Sequence, residues 1–305
     1  MAYGTRVTAV EKPRVNGVAV IAVSSVFFGV MAVLTRLLAG RVPAAEVAAV
    51  RFAVGIVGCG FLFGWKRRLP HLVQGRMLLT RGVLGGLAVV TYFFAIERLG
   101  AAPATVLNYS SPIYAAVFAA IFLGETSTTL RRAGLLVATS GAVVVAFSTG
   151  SVENPFIPDL GAVAGVLSAI LGGGAMTAIR KLRNDTDAST VFFAFCVGGL
   201  LVSAPLAAPH WVALSGSSLW LCLVIGLLSI IAQLLFTWGM GFTSATVGSA
   251  TTQLVPAVAW VLALGWLGEP ATVLGVIGAL LCVSGVLLGV VPWRELMPGQ
   301  RSTIP

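Results

Sequence analysis

Apolar positions along this chain cluster in long unbroken runs, with neither the alternation of a half-buried strand nor the narrow stripe of a soluble helix. The runs occupy 16–38, 44–65, 77–96, 102–123, 131–149, 160–180, 188–208, 217–239, 244–266 and 271–291. About 20 residues in a helix, rising 1.5 Å each, span a hydrocarbon core of about 30 Å. Membrane barrel strands are half that length and alternate apolar with polar residues, so the pattern predicts helices. The expected fold is an all-α integral membrane protein with ten transmembrane helices.

Glycines, prolines and short polar motifs recur inside these runs at one fixed spacing of 144 positions. Pro112 pairs with Pro256, Leu123-Gly124-Glu125 with Leu267-Gly268-Glu269, and Ser140-Gly141 with Ser284-Gly285. The same offset joins Gly17 to Gly161, Ser24 to Ser168, Gly29 to Gly173, Gly55 to Gly199 and Gly82 to Gly226. Each copy holds five runs, and an odd number of crossings makes the next copy enter the membrane from the other side. The chain therefore divides into a tail at 1–15, a five-helix repeat at 16–149, an inverted five-helix repeat at 160–291 and a tail at 292–305. Inverted repeats supply the pseudo-symmetry of alternating access, with a substrate site expected where the halves meet.

Composition agrees: 58% of residues are hydrophobic and 10% charged, far from the roughly 25% charged of a soluble domain. Little of the chain lies outside the runs, so the net charge of +9 reads as topology and not as nucleic-acid binding. With the amino terminus inside, cytoplasmic segments hold 14 of the 19 basic residues, and the outer loops only Arg36, Arg41 and Arg98. The positive-inside rule then places both termini in the cytoplasm. Equivalent loops of the two copies differ accordingly: Lys66-Arg67-Arg68 maps onto His210-Trp211-Val212, and Arg131-Arg132 onto Gly275-Val276. The first run is expected to stay as a span and not to be cleaved as a signal peptide, since its partner at 160–180 is internal. Cys59, Cys196, Cys222 and Cys282 lie in apolar helices without metal-ligand spacing and read as small buried side chains.

Polar groups deep in hydrocarbon are costly, so those present are informative. The fourth run carries Thr105, Asn108, Tyr109 and Pro112 within an arc of about 100° at helical periodicity. Their repeat partners are Ser249, Thr252, Gln253 and Pro256. Each proline lacks an N–H and releases the carbonyl four residues earlier, those of Asn108 and Thr252. The two stripes either line a substrate site or cement helices together. Arg51 lies about seven residues into the second run, roughly 10 Å deep; its guanidinium either meets a substrate carboxylate or phosphate or pairs with Glu46 or a neighbouring helix end. Arg81, close to a span end, reads as interfacial. Every carboxylate sits at a span end or in a loop, which argues against cation/proton antiport. Glu125 and Glu269 read as structural, and Gly172-Gly173-Gly174 as packing and not a phosphate loop.

Arg81-Gly82, Tyr92-Phe93-Phe94-Ala95-Ile96, Ala101 to Ala104, Ser111-Pro112 and Leu123-Gly124-Glu125, echoed by Val255-Pro256 and Leu267-Gly268-Glu269, resemble the EamA-type units of the drug/metabolite transporter superfamily. The resemblance covers nearly the whole chain and implies ten helices, cytoplasmic termini, a central cavity and export of amino acids or other metabolites. In the second copy Arg81 is replaced by Ile225, so an arginine role there is not symmetric.

The combined expectation is a multi-pass protein of the cell (inner) membrane that exports small neutral or anionic metabolites such as amino acids by alternating access. Its expected site is Arg51, Thr105, Asn108, Tyr109, Pro112, Ser249, Thr252, Gln253 and Pro256, with no catalytic residue, metal, cofactor or nucleic acid. The partners are a small-molecule substrate and the lipid bilayer, with a homodimer left open. Uptake, drug efflux, a membrane-embedded lipid enzyme and a non-transporting receptor are the rival readings. The enzyme reading lacks a His-Glu-x-x-His or paired-Asp motif, and the two histidines, His71 and His210, lie outside or at the edges of the runs.

Overall fold

In lipid a backbone N–H or C=O has no water to bond, so each apolar run satisfies its own backbone by coiling into a helix. The computed structural model describes residues 16–63, 75–123, 129–148, 159–182, 186–239, 242, 251–252, 254–268 and 272–290. Its helices are α1 Gly17–Leu37, α2 Ala44–Phe63, α3 Arg76–Leu99, α4 Ala101–Asn108, α5 Ser111–Leu123, α6 Thr129–Ser148, α7 Leu160–Leu182, α8 Ala188–Ala207, α9 Gly216–Gly239, α10 Leu254–Leu262 and α11 Val273–Val290. A 3-10 turn, Ala208–His210, follows α8, and a π turn, Ala263–Leu267, continues α10. Among the described residues there is no strand.

Seven of the described spans are long and apolar enough to cross a membrane, counting α4 and α5 as one segment, Ala101–Phe122. Large apolar side chains cover their outside; Phe61 and Phe122 are 84% and 73% exposed. Such a surface is solvated by lipid and not by water. This is a multi-pass helical membrane protein. The tails, Ser249, Gln253, Glu125, Glu269 and the basic loop residues Lys66, Arg67 and Arg68 lie outside the described residues.

Polar side chains at helix ends fix where the spans begin and stop. Asn16 Oδ1 accepts from the Ala19 N–H at 3.3 Å, and an Asp187 carboxylate oxygen accepts from that of Thr190 at 3.2 Å, each satisfying an orphan donor of a first turn. Arg36 Nη1 donates to the Glu97 carbonyl at 2.6 Å and the Ile96 carbonyl at 3.3 Å, at the end of α3. Glu97 Oε2 accepts from the Ala44 N–H at 3.3 Å, so one cluster ties α1, α2 and α3. Gly100, with φ 94°, turns the chain straight from α3 into α4, a conformation that a side chain would strain.

The fourth run was expected as one helix with a released carbonyl at Pro112. It breaks instead. The chain leaves the α-helix at Tyr109 and Ser110, where the Ser110 N–H reaches the Leu107 carbonyl (3.2 Å) and the Ile113 N–H the Ser110 carbonyl (3.0 Å). Pro112 at the second position of α5 has no N–H to continue the ladder. In the second copy the Val255 N–H bonds the Thr252 carbonyl at 3.0 Å. That carbonyl, expected to be free, is therefore used by the tight turn that opens α10.

The repeat is visible in the packing. A β-carbon built on Gly82 would meet Gly198, and one on Gly226 would meet Val54, which is the position 144 residues before 198. Gly199 meets Phe52 and Gly55 meets Cys196; Gly29 meets Val258 and Gly173 meets Tyr114; Gly141 meets Cys282 and Gly285 meets Ala138. Each pair of contacts exchanges into its twin when the halves are swapped, as a two-fold axis requires. In α2 against α8 the contacts run from 52 with 199 to 55 with 196, so numbers rise on one helix as they fall on the other. These two helices occupy equivalent places in the repeat and run antiparallel. The same holds for α6 and α11, which touch at 138 with 285 and 141 with 282.

Candidate functional site

Because equivalent helices cross near the axis, the space between halves is walled by equivalent positions. A cavity of about 880 Å³, counted out to its mouth, is lined by α1, α2, α3, α4, α5, α7, α8 and α9 together with Thr252. Val89 and Gln233, Tyr92 and Phe236, Met31 and Ala175, and Asn108 and Thr252 all line it. Each of these is a repeat pair. The cavity therefore lies across the pseudo-two-fold, where a duplicated fold concentrates its ligand contacts.

Of the expected site residues, Arg51, Asn108, Tyr109, Pro112 and Thr252 line this cavity. Three of them meet at the break, where Asn108 ends α4, Tyr109 leaves the regular helix and Pro112 opens α5. Thr105 is fully buried and serves from behind the wall. Its hydroxyl donates to the Ala101 carbonyl at 2.5 Å, so the Tyr92 hydroxyl 2.8 Å away donates to it. Asn108 Oδ1 lies 3.0 Å from Ser168 Oγ on α7. Pro256 is buried in α10 and does not belong to the lining.

Arg51 enters the cavity through an aromatic cage. Its guanidinium carbon lies 5.3 Å from the ring centre of Phe52, 5.6 Å from that of Phe93 and 5.7 Å from that of Phe195. Such faces attract a cation, and more strongly once water is excluded. Nε donates to Ser229 Oγ at 2.6 Å. The structural pairing of Arg51 with Glu46 is not formed: Glu46 Oε2 accepts from the Val212 N–H at 2.9 Å and ties the N-terminal end of α2 to the segment after α8, while its Oε1 is buried without a hydrogen-bond partner. No carboxylate is among the described residues lining the cavity.

Arg81 is a correction to the sequence reading. Expected at the interface, it is 5% exposed, lines the cavity and stacks 4.4 Å from the Phe195 ring centre. The physical reason lies one turn on. Gly85 occupies the same helical face, and its missing β-carbon leaves the space that Arg81 Nη1 fills. Arg81 with glycine four residues later was the available signal. Tyr92, Phe195, Ser229 and Gln233 were also missed, because each is unremarkable within an apolar run until its partners from the other half are known.

Comparison with known proteins agrees with this architecture. Residues 15–147 and 159–291 each match the EamA-like transporter family. The chain belongs to that family. Two matches in tandem, together covering most of the chain, also identify the 144-residue repeat with two units of the family fold. This EamA-like transporter is 32% identical over 276 residues to a protein of Pseudomonas aeruginosa named as the pseudopaline exporter CntI, covering 88% of this chain and 93% of that one. It is 29% identical over 195 residues to a probable terminal-alkyne amino-acid exporter of Streptantibioticus cattleyicolor, covering 62% and 63% of the two chains. A solved crystal structure superposes with a TM-score of 0.64 at 21% identity, covering 90% of this chain and 98% of the other. That likeness concerns the fold.

Proposed function

We propose that the chain is an exporter in the cell (inner) membrane that moves small carboxylate-bearing metabolites, amino acids among them, by alternating access. Ten spans form two inverted five-helix halves, with both termini in the cytoplasm, and the halves rock about the cavity to open it first to one side and then to the other. Arg51 attracts the carboxylate, Asn108 and Thr252 offer hydrogen bonds from opposite halves, and Tyr92 with Phe236 supplies apolar walls. The observation that carries this reading is a cavity lined by repeat pairs in which a caged guanidinium meets no carboxylate of the lining. Relatives named as exporters of pseudopaline and of an amino acid favour outward movement of such compounds.

The test compares metabolites inside and outside cells that express wild type, Arg51→Ala or empty vector at matched membrane levels. Wild type alone is expected to shift a carboxylated metabolite outward, and Arg51→Ala to lose about 10- to 100-fold of that flux, the range for one charge-assisted hydrogen-bond pair. Equal flux from wild type and Arg51→Ala removes the arginine from the site. Identical medium composition for all three strains over a broad panel removes export itself.

A further inference from the structure

Arg81 is the least satisfied charge among the described residues. It is 5% exposed, and its Nε and Nη1 are buried without a hydrogen-bond partner. Removing a guanidinium from water without pairing it is strongly unfavourable, and in membrane spans such a group marks a pathway or a counter-ion. Arg51 stands nearby. The guanidinium carbons of Arg81 and Arg51 lie 4.4 Å and 5.7 Å from the centre of one ring, that of Phe195. Like charges gathered on one ring in a low-dielectric site repel each other, and no described carboxylate of the lining separates them.

The repeat sharpens the asymmetry. The position equivalent to Arg51 is Phe195, and that equivalent to Arg81 is Ile225. The contact of Arg51 with Ser229 has as its twin the approach of Phe195 to Gly85, where no hydroxyl is present. Both cations thus come from the first half, and the second contributes the ring beneath them. A ligand with one negative charge needs one of the two arginines. It leaves the other buried and unpaired.

Resting on the exporter reading above, we propose that the cavity selects metabolites with two anionic groups, one held by Arg51 and the other by Arg81, as in a small dicarboxylate. The buried Nε–H of Arg81, which has no hydrogen-bond partner, is the donor that the second group takes, together with Nη2–H on the same edge, while Nη1 stays packed over Gly85. That edge is the planar fork that a guanidinium offers to a carboxylate.

The test uses the purified full chain in proteoliposomes and measures counterflow, which reads exchange in either direction. Glutamate against glutamine, aspartate against asparagine and succinate against succinamate are the probes, because each pair differs by one negative charge at nearly equal size. Wild type is expected to exchange the dicarboxylate of at least one pair about 10- to 100-fold faster than its amide. Arg81→Gln is expected to abolish that ratio and Arg81→Lys to keep part of it. Elution profile and melting temperature confirm that both variants fold. The readout is the ratio within a pair, since a merely structural role lowers both members alike. Equal exchange of acid and amide by wild type overturns the proposal, as does an unchanged ratio in Arg81→Gln. Exchange of amides or other monocarboxylates without any dicarboxylate overturns it and leaves the exporter reading standing. No exchange above empty liposomes, with neutral amino acids included, overturns both.

Discussion

The Phe195 ring sits below two guanidiniums and packs edge-on against Phe52, with ring centres 5.1 Å apart, so one apolar side chain organises most of the charge in the cavity. Its contribution separates into bulk and quadrupole. Phe195→Leu keeps the bulk and removes the face, and a desolvated cation–π contact contributes about 2 kcal/mol. The variant is therefore expected to lose about 2 kcal/mol of stability and most of its flux, whereas Phe195→Tyr, which keeps the face, retains both. Equilibrium unfolding in mixed micelles checks the first expectation and vesicle flux the second. Equal stability in Phe195→Leu and wild type shows that the two cations draw nothing from the ring. In the primary sequence this residue was only one more apolar letter. The 144-residue offset assigns it to the place of Arg51, yet the offset alone does not say that equivalent positions meet at the axis.

Helices in this fold meet where side chains are absent. Lipid tails provide no hydrophobic drive between spans, so close packing of small residues supplies the adhesion. A β-carbon on Gly198 would stand 2.5 Å from Gly82 Cα, and one on Gly86 would stand 2.6 Å from Gly199 Cα, so α3 of one half and α8 of the other touch backbone to backbone. Backbone does not yield as a side chain does. Gly198→Val is expected to push the halves apart and cost about 1–3 kcal/mol or more, read as a lower melting temperature in detergent, while Gly265→Ala, which meets nothing within 4 Å, leaves it unchanged. Gly82 and Gly199 were legible in sequence through their repeat mates Gly226 and Gly55, whereas Gly86 and Gly198 stand against Ile230 and Val54 and were not; the helices were legible because they follow from the local demand that lipid places on a backbone. The break at Tyr109 and Ser110 was not. Proline at 112 signals a lost hydrogen bond, but whether a helix bends or parts there depends on what α7 offers beside it, as Ser168 does for Asn108. Arg81 was misplaced for a similar reason: counting residues from a span end fixes its depth, while the vacancy above Gly85 fixes its direction.

At the scale of the molecule, the reciprocal contacts locate the pseudo-two-fold axis that relates the halves. Helices α2 and α8 belong to opposite halves and touch close to that axis, as do α6 and α11. If the proposed rocking pivots at these central crossings, a contact there turns and a contact away from them slides. Gly55 and Cys196 provide a native means of fixing the first. A β-carbon at 55 would lie 3.5 Å from that of Cys196, within the range of about 3.5–4.5 Å that a disulfide tolerates. Gly55→Cys, oxidised in the membrane, is expected to bridge the two halves, with two thiols lost from the five the variant carries, counting the native four. If alternating access requires α2 to shift against α8, the bridged protein loses at least about tenfold of its flux and reduction restores it, while the oxidised wild type is unaffected. Bridging with full flux assigns the hinge to this crossing and moves the sliding surfaces outward to α3 with α8 and α1 with α9. In that case Gly82, Gly86 and Gly198 become the positions whose enlargement slows exchange even where the fold survives.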